Sequence, residues 1–344
     1  MKAVRRSRLW FAAVIIIVLA NIACLDQRTE EIVVAEDGST TITARIQGDA
    51  ENLRPPIALP SQPQWTILKH DIDSSEVPTG QLDFEAEIEV PYGTPLPVTY
   101  AGEDSEHHEL NLRFPTEVRR WTEGNRTYYE FRRTYPARDY GCYNISGSDF
   151  WDSELEAEIL EKGIFNVSDE DRENYLNNFA FAFGYLQWRF LWTSLGAMYR
   201  GGEITLAAGD TIETRAAEYL EEKVTSTRIL GILGKEDDSI GVALDRFKNE
   251  IHSDFSNLFS SVVGPDTMLA RSFADHFRRV TLNYEITEAL NNNNFSVEVT
   301  LPGRVIESNG LVLPDDPEKV EWTFGGEALN DRAVPLFAIS VVEH

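Results

Sequence analysis

Apolar and acidic residues alternate without a break in the stretch Leu82-Asp83-Phe84-Glu85-Ala86-Glu87-Ile88-Glu89-Val90. A period of two is the pattern of a β-strand with one buried face and one exposed face, and here the exposed face carries only carboxylates. The same period extends over residues 31–135. It predicts a hairpin with a two-residue type I′ turn at Asp37-Gly38 and a second hairpin that turns at Glu123-Gly124-Asn125.

The spacing of apolar residues changes to that of helices near Phe150. The clearest amphipathic helix has apolar residues at steps of three and four, namely Ile240, Leu244, Phe247, Ile251, Phe255, Leu258 and Val262. Earlier helices are predicted to begin near Ser153, after Ser168 and near Asp210, because polar and acidic residues favour helix N-termini. Gly264-Pro265-Asp266 is predicted to separate the last two helices.

The period of two returns towards the C-terminus. It predicts strands at residues 280–286, 295–301, 320–324 and 336–342. The predicted fold is therefore α+β, with a discontinuous antiparallel β module made of N- and C-terminal strands and a helical middle region packed on it. The predicted regions are a signal peptide at 1–23, an N-terminal β region at 24–145, a helical region at 146–279 and a C-terminal β region at 280–344, which would complete the N-terminal β module.

The N-terminus has the layout of a secretory signal. Lys2, Arg5, Arg6 and Arg8 precede the apolar run Leu9–Ala20, which at about 18 Å as a helix is shorter than a bilayer core. The following Asn21-Ile22-Ala23-Cys24 resembles the lipobox of bacterial lipoproteins, with Asn21 in place of the usual Leu. The resemblance implies cleavage before Cys24, acylation of its thiol and an envelope location that faces the periplasm or the exterior. The alternative is an uncleaved signal anchor and a single-pass membrane protein.

The net charge limits the classes of partner. The chain has 344 residues and a formal charge of −26, which argues against non-specific binding to nucleic acid. Loss of residues 1–23 would bring the charge to −30, because the leader holds four cations and no acid. Anionic headgroups would repel such a domain. The sequence therefore predicts a domain tethered to the membrane through an N-terminal lipid and held off its surface by Asp26, Glu30 and Glu31.

A second resemblance lies near the C-terminus. The chain has Val299-Thr300-Leu301-Pro302-Gly303-Arg304-Val305, then Ser308-Asn309-Gly310, then Val320-Glu321-Trp322-Thr323-Phe324. This strand–Pro-Gly–strand pattern, followed by Asn and Trp, resembles poorly characterised bacterial lipoprotein modules, including LppM-type domains. About a quarter of the chain shares it. The resemblance implies an extracytoplasmic β-rich module with inserted helices, and it assigns no catalytic residues.

Motifs for catalysis are absent from the sequence. It contains no G-x-S-x-G, H-E-x-x-H, G-x-x-x-x-G-K-[ST] or G-x-G-x-x-G pattern. Cys142 has no surrounding motif and is predicted to be a structural or free thiol. The cluster Glu103–Glu109 contains two His among four acids, but neighbours on one loop cannot all converge on one ion, so we predict neither a metal site nor a cofactor. The enzyme alternative is an envelope hydrolase that uses paired carboxylates.

An aromatic run extends from Phe179 to Tyr199, with Arg189 as its only charged residue. Apolar residues around a whole helix indicate full burial or a membrane. Since a central Arg costs at least about 2.5 kcal/mol on insertion into a bilayer, we predict a buried central helix. The alternatives are a segment that dips into the membrane and the wall of a ligand groove.

One region of this acidic chain is basic. Seven arginines lie between Arg113 and Arg138, and aromatic residues are interleaved with them. Arginine binds phosphate or carboxylate groups, and aromatic rings stack on sugars. The candidate ligand-binding residues are Arg119, Arg120, Arg132, Arg133, Trp121 and Tyr129, and the ligand would be an anionic envelope glycan, a lipid headgroup or a protein partner.

The alternative for these arginines is structural. The acidic row Asp83, Glu85, Glu87 and Glu89 needs positive neighbours, and pairing between the two segments would account for the arginines. From the sequence, we favour this pairing over the binding of a ligand. The leading functional prediction is a non-enzymatic, lipid-anchored binding or envelope-interaction protein.

Overall fold

The structure is a computed structural model that describes residues 26–49, 59–61, 63–72, 81–100, 110–138, 140, 153–233, 240–264 and 266–344. These residues form two compact units. Residues 153–282 make a helical unit, and residues 26–140 together with 283–344 make a β unit. The predicted α+β class is confirmed, with the helical region between two groups of strands along the chain.

The β unit consists of two sheets. Its described strands are β1 (Asp26–Val34), β2 (Thr40–Asp49), β3 (Thr66–Ile72), β4 (Gln81–Val90), β5 (Thr116–Glu123), β6 (Arg126–Tyr135), β7 (Asn293–Thr300), β8 (Arg304–Ser308), β9 (Leu311–Leu313), β10 (Asp316–Gly325) and β11 (Val334–Glu343). The larger sheet has the order β3-β4-β2-β1-β7-β10-β9, and the smaller has the order β5-β6-β11-β8. A 3₁₀ turn at Gly326–Leu329 follows β10.

Strands from both ends of the chain share each sheet. In the larger sheet β1 pairs with β7, with Ile32 opposite Val299. In the smaller sheet β6 pairs with β11, with Phe131 opposite Ala338. The discontinuous β module is therefore confirmed. The β1–β7 pair is parallel, whereas the other described strand pairs are antiparallel.

The core of the β unit lies between the two sheets. The ring centroids of Phe131 and Trp322 are 6.1 Å apart, and those of Tyr135 and Phe324 are 5.3 Å apart. In each pair one ring comes from the smaller sheet and the other from the larger. Strand alternation gives each sheet one apolar face, and these two faces pack on each other.

The loop of the first hairpin differs from the prediction. The N–H of Gly38 donates to the carbonyl of Ala35, and the N–H of Ala35 donates to the carbonyl of Ser39. The loop thus has three residues, and the predicted two-residue type I′ turn is wrong. Gly38 has φ of +89°, and an added Cβ would lie 2.5 Å from the Tyr92 ring. A glycine is needed there for both reasons.

The helical unit contains six described helices. They are α1 (Ser153–Lys162), α2 (Asp169–Arg200), α3 (Leu206–Lys223), α4 (Ser226–Leu233), α5 (Ile240–Val263) and α6 (Thr267–Asn291), the last of which ends in the β unit. Ser168 caps α2 as predicted, since its side chain accepts from the N–H of Asp171. The predicted start near Asp210 is wrong, because Thr205, five residues earlier, caps α3 in the same way. Helix α4 was not predicted.

Phenylalanine side chains form much of the core of the helical unit. Phe190 on α2 and Phe255 on α5 each meet the ring of Phe277 on α6, at 6.5 and 6.0 Å between centroids. Phe259 stacks on Phe273 at 4.4 Å. All of these rings except Phe277 are at most 1% exposed. The amphipathic pattern of residues 240–263 therefore predicted the helix and part of its buried face, which also includes Phe259.

The predicted strand at residues 280–286 is wrong, because α6 continues through it to Asn291. Residues 280–286 are compatible with both the period of a strand and the period of a helix. Ile286 and Leu290 are buried four residues apart, as on one helix face. The hydroxyl of Thr281 donates to the carbonyl of Phe277, and that of Thr287 donates to the carbonyl of Asn283. Each threonine hydroxyl thus has a hydrogen-bond acceptor on its own helix, although threonine is a β-branched residue.

The aromatic run of α2 is not buried on all sides. Its small and aliphatic residues are buried together with Phe190, while Phe181 is 58% exposed and Trp192 is 44% exposed. Rings on the exposed side stack on one another, with Trp188 and Trp192 at 6.4 Å. The prediction of a fully buried helix is therefore wrong. Among the described helices, none is both long enough and apolar enough to cross a membrane.

Candidate functional site in the arginine hairpin

The β5–β6 hairpin carries all six predicted ligand-binding residues, but it divides them between its two faces. Successive side chains of a strand point to opposite sides. Phe131 is fully buried and lies opposite Val118, so the side of the sheet that these two residues share is its inner face. The outer face carries Arg119, Trp121 and Arg132, and the inner face carries Arg120, Tyr129 and Arg133. The six residues therefore do not form one site.

Arg133 belongs to the core. One of its terminal nitrogens donates to Oε2 of Glu30 at 2.5 Å, and its Nε donates to the Thr116 hydroxyl at 2.8 Å. Tyr100 and Tyr135 donate to the other oxygen of Glu30, at 2.5 and 3.3 Å. Burial alone would lower the pKa of Arg133, but the adjacent Glu30 carboxylate raises it above its usual value. This arginine is a structural residue and is not open to a ligand.

A second arginine, Arg28 on β1, is also buried, and no sequence pattern predicted it. β1 begins at Asp26, and its inner face presents Asp26, Arg28 and Glu30, which are all at most 3% exposed. Nε of Arg28 donates to Asn293 Oδ1 at 2.7 Å, and the two terminal nitrogens have no hydrogen-bond partner among the described residues. Burial lowers the pKa of Arg28 to about 10. The prediction that Asp26 and Glu30 hold the domain off a membrane is therefore wrong.

The outer face of the hairpin holds an exposed network of charges. Glu130 accepts from Arg132 at 2.6 Å, and Arg119 approaches it from β5 at 4.0 Å. Arg119 also donates to Glu117 at 2.7 Å. The side chains of Arg119 and Arg132 are more than half exposed, whereas that of Glu130 is 8% exposed. Two arginines therefore flank one carboxylate and present their remaining N–H groups to solvent.

Aromatic rings accompany these arginines on the outer face. Trp121 stacks on Tyr128 across the two strands, with centroids 5.2 Å apart and planes 11° apart. Arg132 lies over the ring of Phe337 on β11 at 5.3 Å. Trp121, Tyr128 and Phe337 are half-buried, so part of each ring is exposed to solvent. Flat rings beside guanidinium groups suit a ligand that has both apolar surface and anionic groups.

The two remaining candidates, Tyr129 and Arg120, differ in their exposure to solvent. Tyr129 is buried, and its hydroxyl donates to the carbonyl of Glu36 at 2.6 Å. Arg120 is exposed, and its guanidinium lies 5.9 Å from the centre of the Tyr129 ring. Tyr129 therefore positions the hairpin against the loop of β1 and β2, and Arg120 is accessible on the inner side of the edge strand.

The preferred pairing of these arginines with the acidic row of β4 is wrong. β4 pairs with β2 and β3, whereas the arginines lie in the other sheet. Asp83 binds Lys69 at 2.6 Å, and Glu85 lies 3.2 Å from Arg45. The acidic row therefore has positively charged neighbours, as predicted, but these lie on β2 and β3 in the same sheet and not on the arginine hairpin.

An open groove lies beside the N-terminal half of β5. Its wall includes Val90, Pro91, Tyr92, Leu96 and Val118. Its lining contains one carboxylate, that of Glu117. A carboxylate-pair hydrolase needs two convergent acids, and this groove does not contain them.

Several predictions fall on residues outside the described part of the chain. These are the lipidation of Cys24, the signal peptide, the state of Cys142 and the cluster Glu103–Glu109. Among the described residues, no group of three or more His, Cys, Asp or Glu side chains could hold a metal ion. Comparison with known proteins gives no relative, since no family, no curated protein and no solved structure matches this chain.

Proposed function

We propose that the chain is a lipid-anchored extracytoplasmic binding protein that recognises an anionic partner through the β5–β6 hairpin. The observation that carries this proposal is the exposed outer face of the hairpin. There Arg119 and Arg132 flank Glu130, next to the stacked rings of Trp121 and Tyr128. An open aromatic and basic surface above a closed core is typical of a binding module rather than of a hydrolase.

The position of the hairpin within the β unit supports this function. Only Leu25 separates Cys24 from Asp26, so a lipid on Cys24 would lie within about 7 Å of the start of β1. β1 is nine residues long, which corresponds to about 30 Å. Tyr129 of the hairpin contacts Glu36, beyond the far end of β1. A protein anchored at Cys24 would therefore present the tip of this hairpin away from its anchor.

The anchor is tested by metabolic labelling with a clickable fatty acid. We expect the wild type to be labelled and the Cys24→Ser variant to remain unlabelled, because the thiol is the acylated group. Equal labelling of the two proteins, or no labelling of either, contradicts lipidation at Cys24.

The binding surface is tested with fluorescent trigalacturonate, a short carboxylated glycan. We expect binding to the wild type, and loss of binding when Arg119→Gln and Arg132→Gln are combined, because the guanidinium groups bind the carboxylates. The matched control combines Arg304→Gln and Arg332→Gln, which removes the same charge from exposed positions of the β unit. Equal losses in the two double variants would mean that net charge alone governs binding, which contradicts a site on the hairpin.

A further inference from the structure

A row of aromatic rings lies on the exposed side of α2. The rings of Phe181, Tyr185, Trp188 and Trp192 follow one another along the helix, with successive centroids 6.5, 5.8 and 6.4 Å apart. Phe181 is 58% exposed, Trp192 is 44% exposed, and the two rings between them are half-buried. Steps of four, three and four residues keep the four rings on one side of the helix. We call this row the aromatic seam.

A different row of α2 packs into the helical unit. Its buried residues have the same kind of spacing and include no ring: they are Ala180, Gly184, Gln187, Leu191, Ser194 and Met198. The helix thus has two rows with coiled-coil spacing, one buried within its own unit and one exposed. A row of this spacing accepts a second helix, and contiguous exposed apolar surface is typical of an interface between proteins.

The charges of α2 are concentrated at its two ends. Four acids lie within its first five residues, namely Asp169, Glu170, Asp171 and Glu173. Its last residue is Arg200, and the only charge between these ends is that of Arg189, whose guanidinium lies over the Trp192 ring at 4.8 Å. Two copies of α2 that pack antiparallel therefore place a basic end beside an acidic end, whereas parallel copies place acids beside acids.

The seam is complementary to itself in the antiparallel direction. Its spacing of four, three and four residues reads the same from either end. In one antiparallel register Phe181 faces the partner's Trp192, and Tyr185 faces the partner's Trp188, so that all four rings of each copy meet rings of the other. The same register sets the basic end of each helix beside the acidic end of the other. This self-complementarity favours a second copy of the chain over an unrelated helix.

The area of the seam fits a weak dimer. Tyr199, seven residues after Trp192, extends the seam and is 50% exposed. With about 200 Å² for a whole aromatic side chain, the exposed parts of the five rings amount to roughly 400 Å² in each copy. A pair then buries roughly 800 Å² before flanking side chains are counted, which is close to the lower limit of about 1,000 Å² for specific interfaces. We therefore expect a dimer that dissociates on dilution.

We propose that α2 packs antiparallel against α2 of a second copy of this chain, and that the aromatic seam is the core of this interface. The dimer goes beyond the proposed binding function, because it uses residues of the helical unit and none of the β5–β6 hairpin. The rings of each seam pack between those of the other, and the acidic and basic ends attract each other across the interface. Added salt strengthens the dimer, because it screens the repulsion between two chains of net charge −26.

Sedimentation equilibrium of the purified full chain measures the dimer. The chain carries Cys24→Ser, since a lipid would associate copies by itself. We expect a monomer–dimer equilibrium, and at least tenfold weaker association when Phe181→Glu and Trp192→Glu are combined. The matched control combines Leu206→Glu and Met268→Glu, which adds the same charge at positions 58% and 78% exposed outside α2. A monomer at every concentration, or equal weakening in the two double variants, overturns the inference.

Cross-linking tests the antiparallel register while the four stacked rings stay intact. Asn174 and Tyr199 are exposed, and the register places each opposite the other in the partner. Copies with Asn174→Cys are mixed with copies with Tyr199→Cys, all in a background of Cys24→Ser and Cys142→Ser, and treated with a short thiol cross-linker. We expect cross-linked dimers in the mixture and at least tenfold fewer with Asn174→Cys copies alone. Equal cross-linking of those copies alone, or none in the mixture, overturns the antiparallel dimer even if the double Glu variant does not fold.

A membrane is the rival occupant of the seam. The acids at the start of α2 and the net charge of the chain oppose contact with anionic headgroups, so the test uses neutral phosphatidylcholine vesicles. Vesicle binding by a chain that sediments as a monomer, lost when Phe181→Glu and Trp192→Glu are combined, assigns the seam to a membrane and overturns the dimer.

Discussion

Arg133 on β6 and Glu30 on β1 join the two sheets of the β unit through a buried ion pair of 2.5 Å. Their side chains are 0% and 4% exposed. Glu30 also accepts from two tyrosine hydroxyls, so both of its oxygens are satisfied. Burial of a charge costs much less when the charge has such partners. The pair therefore fixes how the two sheets face each other.

The first prediction concerns removal of one member of this pair. Glu30→Gln should lower the free energy of unfolding by about 3–5 kcal/mol, because it leaves the Arg133 charge buried and uncompensated. Chemical denaturation measures this loss. The control is Glu117→Gln in the exposed pair with Arg119, where we expect about 1 kcal/mol or less. Similar losses in the two variants would contradict the structural role of Glu30.

Part of the candidate site could be predicted from sequence. The hairpin, its arginines and its aromatic residues follow from local alternation, and the structure confirms the hairpin. The partners of the arginines could not be predicted, because they depend on which strands are neighbours across the two sheets. Asp26, Arg28 and Glu30 form an alternating polar row that resembles an exposed strand face, yet the fold buries it.

The second prediction concerns the tyrosines that bind Glu30. Burial and the Glu30 carboxylate raise the pKa of Tyr100 and of Tyr135. Below about pH 10 these phenols are protonated in both the folded and the unfolded chain, and above it only the unfolded chain loses their protons. Stability should therefore fall as the pH rises above about 10. Combining Tyr100→Phe with Tyr135→Phe should flatten this decline, measured by denaturation at several alkaline pH values, and an unchanged slope would contradict the assignment.

The outlines of the fold were more predictable than the boundaries of its elements. The period of 240–263 is compatible with a helix alone, and that helix is confirmed. Residues 280–286 are compatible with both periods, and packing of Ile286 and Leu290 decides for the helix. The aromatic run of α2 shows the limit of composition, because apolar content does not tell which side of a helix remains uncovered.

The third prediction separates the two sides of α2. Phe190 is 1% exposed and packs against Phe277, so Phe190→Ala should cost about 3–5 kcal/mol of stability. Phe181 is 58% exposed, and Phe181→Ala should cost about 1 kcal/mol or less. Thermal and chemical denaturation of the two variants measure the difference. Equal costs would mean that the exposed side of α2 is buried in the folded protein.

The fourth prediction concerns a half-buried histidine in the helical unit. Nε2 of His252 lies 2.9 Å from Oε1 of Gln187, and the ring meets the edge of Phe277. Burial, with a smaller contribution from Lys248, lowers the pKa of His252 to about 4. As the pH is lowered from about 6.5 to 4, the unfolded chain gains a proton at this histidine that the folded chain does not bind. The free energy of unfolding should therefore fall by up to ~1.4 kcal/mol for each pH unit.

His252→Gln is the variant that isolates this effect. Glutamine stays neutral at every pH in this range and can still donate a hydrogen bond to Gln187, so the variant should lose less stability than the wild type between pH 7 and pH 4. Chemical denaturation of both proteins across this range measures the difference, and the carboxylates that titrate there contribute equally to the two curves. Parallel curves would show that His252 takes up its proton at the same pH in the folded and the unfolded chain, which contradicts a pKa lowered by its position between Gln187 and Phe277.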